Sequence, residues 1–184
     1  MLEKAADVLH KFFKYPLLRP YWDERELKTI LGCISSNSLS QGQSTGVFSS
    51  RMKKRFGYSS AVATNSGRTA ILLALNSIPK EKGRSEVILP SYGCVGTIQP
   101  ILQAGFTPVF CDVGEDYNIS ASSISAACSK KTRAVIVPSL FGKPAEWKGI
   151  KKISGELGLF AIDDAAQSFG AEYSGVPVGS FGDA

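Results

Sequence analysis

Two short segments of this chain carry residues whose types and spacing can do chemistry. The first is Asn65-Ser66-Gly67-Arg68-Thr69, which leads from an apolar run into a segment of helical spacing. Ser66 is placed to cap that helix and Gly67 lets an incoming group approach the backbone. The free N–H groups of the first turn point outward, a geometry that receives phosphate. A cation in the first turn opposes the helix dipole by roughly 0.3–1 kcal/mol, so an anion seated beside Arg68 accounts for its presence. A guanidinium that simply points into solvent accounts for it too. The second segment is Asp163-Asp164. Adjacent strand residues face opposite ways, so these carboxylates are no paired acid–base dyad, and only one can face a crevice. An aspartate after a strand also serves merely to cap the next helix.

Other chemistries are excluded by counting. His10 is the only histidine, which removes multi-histidine zinc sites and argues against Ser-His-Asp catalysis. Cys33, Cys94, Cys111 and Cys128 contain no C-x-x-C pair and read as reduced thiols of a cytoplasmic protein, most of them buried. No two glycines stand two apart, so a G-x-G-x-x-G loop cannot occur, and Gly142-Lys143 is followed by Pro144. Gly42-Gln-Ser44-Thr-Gly46 matches G-x-S-x-G but lies in a polar stretch with no strand before it.

The elements that must position these residues follow from periodicity. Leu2, Ala5, Leu9 and Phe12 form one helical stripe. After the Pro16–Pro20 break, Asp23 and Glu26 have capping-box spacing, and the helix they open should stop near Gly32. Ser35–Thr45 reads as a loop, and Phe48, Met52 and Phe56 mark a helix that ends at Gly57. From there apolar runs at Ala61–Thr64, Glu86–Leu89, Thr107–Asp112, Arg133–Val137 and Leu159–Asp163 predict strands, separated by segments of helical spacing. Pro100 requires its helix to start late or to kink. This alternation predicts an α/β fold with a mainly parallel sheet and flanking helices. The division expected is an N-terminal helical segment, 1–57, and a partial α/β domain, 58–184. In an open parallel sheet the residues after each strand gather on one edge, where ligands bind. Those here are Asn65-Ser66-Gly67, Pro90-Ser91-Tyr92, Asp112, Pro138-Ser139 and Asp163-Asp164. The same residue types also suit ordinary turns.

The chain has 184 residues, 43% apolar and 20% charged, enough for a real core in one domain. Its longest apolar run, Ala70–Leu75, falls far short of the ~20 residues a membrane span needs, and the charged Met1–Asp7 start argues against a signal peptide. The Asn118-Ile-Ser120 sequon therefore carries no weight. The 21 basic and 16 acidic side chains give a formal charge of +5. The positive charge is scattered over Arg51–Arg55, Lys80–Arg84, Lys130–Arg133 and Lys148–Lys152, as on solvated helix faces, which suits an acidic small molecule better than nucleic acid. One strand-end carboxylate with an anion site on a neighbouring helix calls for a ligand cationic at one end and phosphorylated at the other. Pyridoxal 5′-phosphate is such a molecule: a carboxylate against its ring nitrogen keeps that nitrogen protonated.

With these features the sequence resembles the DegT-type sugar aminotransferases, a fold-type I family dependent on pyridoxal phosphate, from about Tyr15 to Ala184. The resemblance rests on ordered blocks: Asn65-Ser66-Gly67 with Ala70-Ile71, Glu86 through Tyr92, Gly105 through Asp112, Thr132-Arg-Ala-Val-Ile-Val, Leu140-Phe-Gly142-Lys-Pro144, Asp163 through Ala171, and Gly179-Ser-Phe-Gly182-Asp183-Ala184. It implies that Ser66, Gly67 and Arg68 hold the cofactor phosphate, that Asp164 pairs with the pyridine nitrogen, and that Gln167 contacts the ring hydroxyl. It implies amino transfer from an amino acid to a nucleotide-linked keto sugar by a homodimer. Three departures stand out: Arg68 replaces a threonine, Cys94 falls where an aromatic commonly stacks on the cofactor, and Phe169 replaces a histidine. The family's Schiff-base lysine lies in a Ser-Phe-x-x-x-Lys type segment after Gly182-Asp183-Ala184, and none of the 184 residues matches it. The chain thus reads as an N-terminal fragment, inactive alone, that binds the cofactor without a covalent bond and leaves a sheet edge unpaired. The alternative is a non-catalytic binding or regulatory relative of the same fold.

Overall fold

The structure, a computed structural model, describes residues 23–38 and 43–184. The expected stripe Leu2–Phe12, His10 and the Pro16–Pro20 break lie outside the described residues. The chain divides into two units, Met1–Gly46 and Val47–Ala184. In the first, helix α1 (Glu24–Ser35) opens with the expected capping box: the Asp23 N–H donates to Glu26 Oε2 at 2.9 Å, and Asp23 Oδ1 accepts from the Arg25 N–H. It runs past Gly32, because no proline or left-handed residue stops it there. Helix α2 (Gln43–Phe56) starts inside the stretch read as a loop and ends, as expected, at Gly57, whose φ of +72° suits glycine.

In the second unit four apolar runs form a parallel sheet. The strands are β1 (Glu86–Pro90), β2 (Thr107–Cys111), β3 (Thr132–Pro138) and β4 (Phe160–Asp164), in the order β2-β1-β3-β4. Both faces are covered, so the strands read as continuous apolar runs rather than alternating ones. On one face Val87, Leu89, Ala134, Ile136 and Ile162 pack with Leu75 of α3 (Gly67–Ser77) and Ile101 of α4 (Ile98–Gln103). On the other, Ile88, Val135, Val137 and Ala161 pack with Ile124 of α5 (Ala121–Ala127) and with Trp147 and Ile150 of α6 (Trp147–Leu157). Helix α4 does start late: a 3₁₀ turn, Val95–Thr97, precedes it, which leaves Pro100 in the first α-helical turn where no N–H is needed. A two-stranded antiparallel hairpin, β5 (Glu172–Tyr173) and β6 (Val176–Pro177), completes the described strands.

Four expectations are corrected. Ala61–Thr64 is no strand, because it finds no ladder partner among the described residues, and Val62 is 77% exposed. The edge of β4 is partly covered. There the Asp183 N–H donates to the Ala161 carbonyl at 2.7 Å, the Ala161 N–H donates to Asp183 Oδ2 at 2.9 Å, and the Asp163 N–H donates to the Ala184 carbonyl at 2.9 Å. A Cβ at Gly182 would lie 2.6 Å from the Ala161 carbonyl, so only glycine lets this segment lie so close. Among the cysteines, all free, only Cys111 is buried, and Cys94 is exposed. Finally, Arg84 and Arg133 are not solvated helix charges. Arg84 donates to the carbonyls of Thr132, Leu157 and Gly158. Arg133 donates twice to the Pro79 carbonyl, pairs with Glu81 at 2.8 Å and lies 4.7 Å from the centroid of the Phe160 ring.

Candidate functional site

At the carboxyl end of the sheet a small cleft, about 70 Å³ in volume, opens between the loops after β1, β3 and β4. Its walls are apolar, from Leu89, Ile136, Leu140 and Ala166, and its polar groups come from Cys94, Thr97, Ser139, Asp164 and Gln167. A parallel sheet places its ligand crevice here because successive strands end side by side. Three residues singled out from sequence, Cys94, Asp164 and Gln167, therefore meet in one cavity.

The two aspartates divide as the strand period requires. Asp164 lines the cleft; among the described residues its Oδ1 accepts from the Ala166 N–H at 3.1 Å and its other oxygen accepts nothing. Asp163 is 9% exposed and faces away from the cleft walls, with Oδ2 accepting from the Gly179 N–H at 2.6 Å and the Phe181 N–H at 3.3 Å. Its Oδ1 is buried without a partner. Burial pushes the Asp163 carboxyl up to about 6, against the pull of the two N–H groups and with a smaller upward push from the Asp164 charge. Gln167 is partly committed, since its Oε1 accepts from the Phe141 N–H at 3.3 Å and its carbonyl from the Gly142 N–H at 2.9 Å. Its amide NH₂ donates to nothing among the described residues.

The glycine turn forms as expected. Ser66 is the N-cap of α3 and its Oγ accepts from the Thr69 N–H at 3.2 Å, while Thr69 Oγ1 donates to Asn65 Oδ1 at 2.7 Å. Among the described residues the N–H groups of Gly67 and Arg68 have no acceptor, and Arg68 has no ion-pair partner. The turn does not line the cleft itself. It is linked to it through Gly96: Arg68 Cδ and Cys94 Sγ each lie 3.3 Å from where a Cβ of Gly96 would stand. Phe169, the third departure, is 67% exposed and meets Phe56 edge-on at 5.2 Å.

Sequence reasoning missed Thr97 and the wall residues. Leu89 and Ile136 read as core, which they also are; only the Pro90 and Pro138-Ser139 strand ends were signals for this part of the cleft.

Known proteins resemble this chain in sequence and fold. A GDP-4-keto-6-deoxy-D-mannose 3-dehydratase of Yersinia pseudotuberculosis is 32% identical over 174 residues, 91% of this chain and 44% of its own length. A UDP-N-acetyl-3-dehydro-alpha-D-glucosamine 3-aminotransferase of Acidithiobacillus ferrooxidans is 39% identical over 128 residues, 69% of this chain and 34% of its own. The solved E. coli GDP-4-keto-6-deoxy-D-mannose-3-dehydratase with bound hydrated PLP superposes with a TM-score of 0.82 at 29% identity, covering 91% of this chain and 45% of that one. The chain thus spans less than half the length of the relatives it matches. No helix among the described residues is long and apolar enough to cross a membrane. The sheet order, the cleft at its carboxyl end and the match of residues 20–184 converge: the chain belongs to the DegT/DnrJ/EryC1/StrS aminotransferase family.

Proposed function

We propose that this chain is the cofactor-binding part of a cytoplasmic, homodimeric enzyme. It moves an amino group from an amino acid to a nucleotide-linked keto sugar through pyridoxal 5′-phosphate. The observation that carries the reading is the lone cleft carboxylate: Asp164 keeps one oxygen uncommitted, while Asp163 is spent on backbone N–H groups. The residues present fit the cofactor. Apolar walls suit a ring, Asp164 would hold a protonated ring nitrogen, and the Gln167 NH₂ would reach a ring hydroxyl. The free Gly67 and Arg68 amides, capped by Ser66, would take the phosphate, with Cys94 beside the ring. When bound, the cofactor supplies an electron sink for the α-carbon of the amino donor. The chain's own contribution is electrostatic. The Ala166 N–H orients the Asp164 carboxylate, whose charge would keep a ring nitrogen held there protonated, and Leu89, Ile136 and Leu140 would exclude water from that side.

The test is titration of the chain with pyridoxal phosphate, followed by absorbance and by retention on dialysis. Losing a charged hydrogen bond costs about 1.5–3 kcal/mol. Asp164→Ala is therefore expected to weaken binding roughly 10- to 100-fold, since 1.4 kcal/mol is tenfold. Unchanged affinity in that variant removes Asp164 from the role. A second reading, a non-catalytic relative, is favoured by Cys94 in the cleft and by Arg68 at the turn. A lysine in the Ser-Phe-x-x-x-Lys segment of the reading frame downstream of Ala184 decides for the enzyme, and an intact frame lacking it decides for the binder.

A further inference from the structure

Three aromatic rings from three separate loops meet at the same end of the sheet. Tyr92 follows β1, Tyr117 follows β2 and Phe141 follows β3; their centroids lie 5.1 Å (Tyr92–Tyr117), 5.9 Å (Tyr117–Phe141) and 6.3 Å (Tyr92–Phe141) apart. They are not core: their exposures are 46%, 51% and 65%. Tyr117 and Phe141 have φ of +64° and +55°, a region that large side chains rarely adopt. The arrangement is held from below by a buried amide. Asn118, 2% exposed, accepts from the Leu140 N–H at 3.0 Å and donates to the Lys143 carbonyl at 3.2 Å, so the loop bearing Tyr117 is fastened to the loop bearing Phe141. The Phe141 N–H is in turn held by Gln167, a cleft residue.

We propose that this aromatic cluster is a stacking platform for the base of a nucleoside diphosphate. The inference deepens the reading above by placing the nucleotide end of the substrate, and it rests on that reading for the choice of a nucleotide. The cluster adjoins the cleft, whose lining includes Pro90, Gly93, Ser139 and Leu140, the near neighbours of Tyr92 and Phe141 in the chain. Base stacking needs exposed rings held in place; these are half-exposed, and the Asn118 fastening supplies that order before any ligand arrives. Among the described residues neither the Tyr92 nor the Tyr117 hydroxyl has a hydrogen-bond partner, which leaves two polar groups for a base edge or a phosphate. Size separates this occupant from a second copy of the chain. Three half-exposed rings offer on the order of 300 Å². A stable protein interface takes about 800 Å² per partner, whereas a purine or pyrimidine face needs far less.

The experiment measures binding of GDP, UDP and inorganic pyrophosphate to the chain by calorimetry, with pyridoxal phosphate titrated in parallel. Phe141→Asn and Tyr117→Asn remove a ring while keeping a residue that tolerates positive φ, and Phe141→Tyr keeps the ring. GDP or UDP is expected to bind more tightly than pyrophosphate. Each asparagine variant should lower nucleotide affinity on the order of tenfold and leave pyrophosphate unchanged, and Phe141→Tyr should restore it. Equal binding of nucleotide and pyrophosphate, or nucleotide affinity indifferent to both asparagine variants in chains that melt normally, overturns the platform. So does a dimer that dissociates in those variants without loss of nucleotide binding, which would make the cluster a contact between copies. Pyridoxal phosphate binding keeps the two readings apart: its loss with nucleotide binding intact sinks the cofactor assignment alone.

Discussion

The two ends of the four-stranded sheet are built from similar residue types and behave in opposite ways. At the amino end, Arg84, Arg133, Glu81 and Glu86 sit among strand starts, and their hydrogen-bonding capacity is consumed. The arginines take backbone carbonyls and share Glu81, while Glu86 accepts from Ser129 at 2.6 Å. At the carboxyl end, an Asp164 oxygen, the Gln167 NH₂ and the Gly67 and Arg68 amides have no protein partner among the described residues. Charge density alone would have drawn attention to the amino end. Unspent hydrogen-bonding capacity points to the other, and that is the better guide, since a buried or half-buried polar group left without a partner costs stability unless a ligand completes it.

The contrast breaks most visibly through Asp163, which lies at the carboxyl end but is buried, with one oxygen held by the Gly179 and Phe181 N–H groups and the other unpartnered. Its carboxyl is held at about 6, above the ordinary value of 3.8. Between those pH values the folded chain keeps a proton that the unfolded chain has released. Stability therefore falls as pH rises from about 4 to 6 and is flat in this respect above that, by up to about 3 kcal/mol. Asp163→Asn should abolish this slope in denaturant unfolding followed across pH 4–7 and leave pyridoxal phosphate binding intact. A slope identical to wild type would mean that Asp163 is not the group responsible. Next in size, Arg133→Ala should cost about 2 kcal/mol, because its bonds to the Pro79 carbonyl and Glu81 and its packing on Phe160 go together. Thermal melts should shift down while cofactor affinity stays put; loss of affinity at equal stability would erase the distinction between the ends. The smallest effect separates the two meanings of Arg68. Replacing it with alanine should stabilise helix α3 by about 0.3–1 kcal/mol, since a cation at that end opposes the dipole. Phosphate-ester affinity should nonetheless fall several-fold. A variant that gains stability without losing affinity marks a solvent-pointing arginine.

What was legible in the chain follows the range of the physics involved. The strands β1 to β4 were readable within one or two residues because burial on both faces writes them as compact apolar runs. The Ser66 cap and the Asp23 capping box were readable because they are local. The opposite facing of Asp163 and Asp164 follows from strand geometry alone, although which of them enters the cleft does not. Ala61–Thr64 misled because its composition suits a strand, while a strand also requires a partner at a distance. Arg84 and Arg133 misled for the same reason, since their partners lie 48 to 74 residues away or across the strand starts. Tyr92, Tyr117 and Phe141 are about 25 residues apart, and nothing in a linear string shows that their loops converge.

Asn118 has one further consequence. Its side chain is the rivet between two loops, closed over on every side, so the triplet Asn118-Ile-Ser120 advertises a sugar acceptor that the finished fold withholds. An oligosaccharide could be attached only to a nascent chain, and once attached it would keep the two loops from ever being joined.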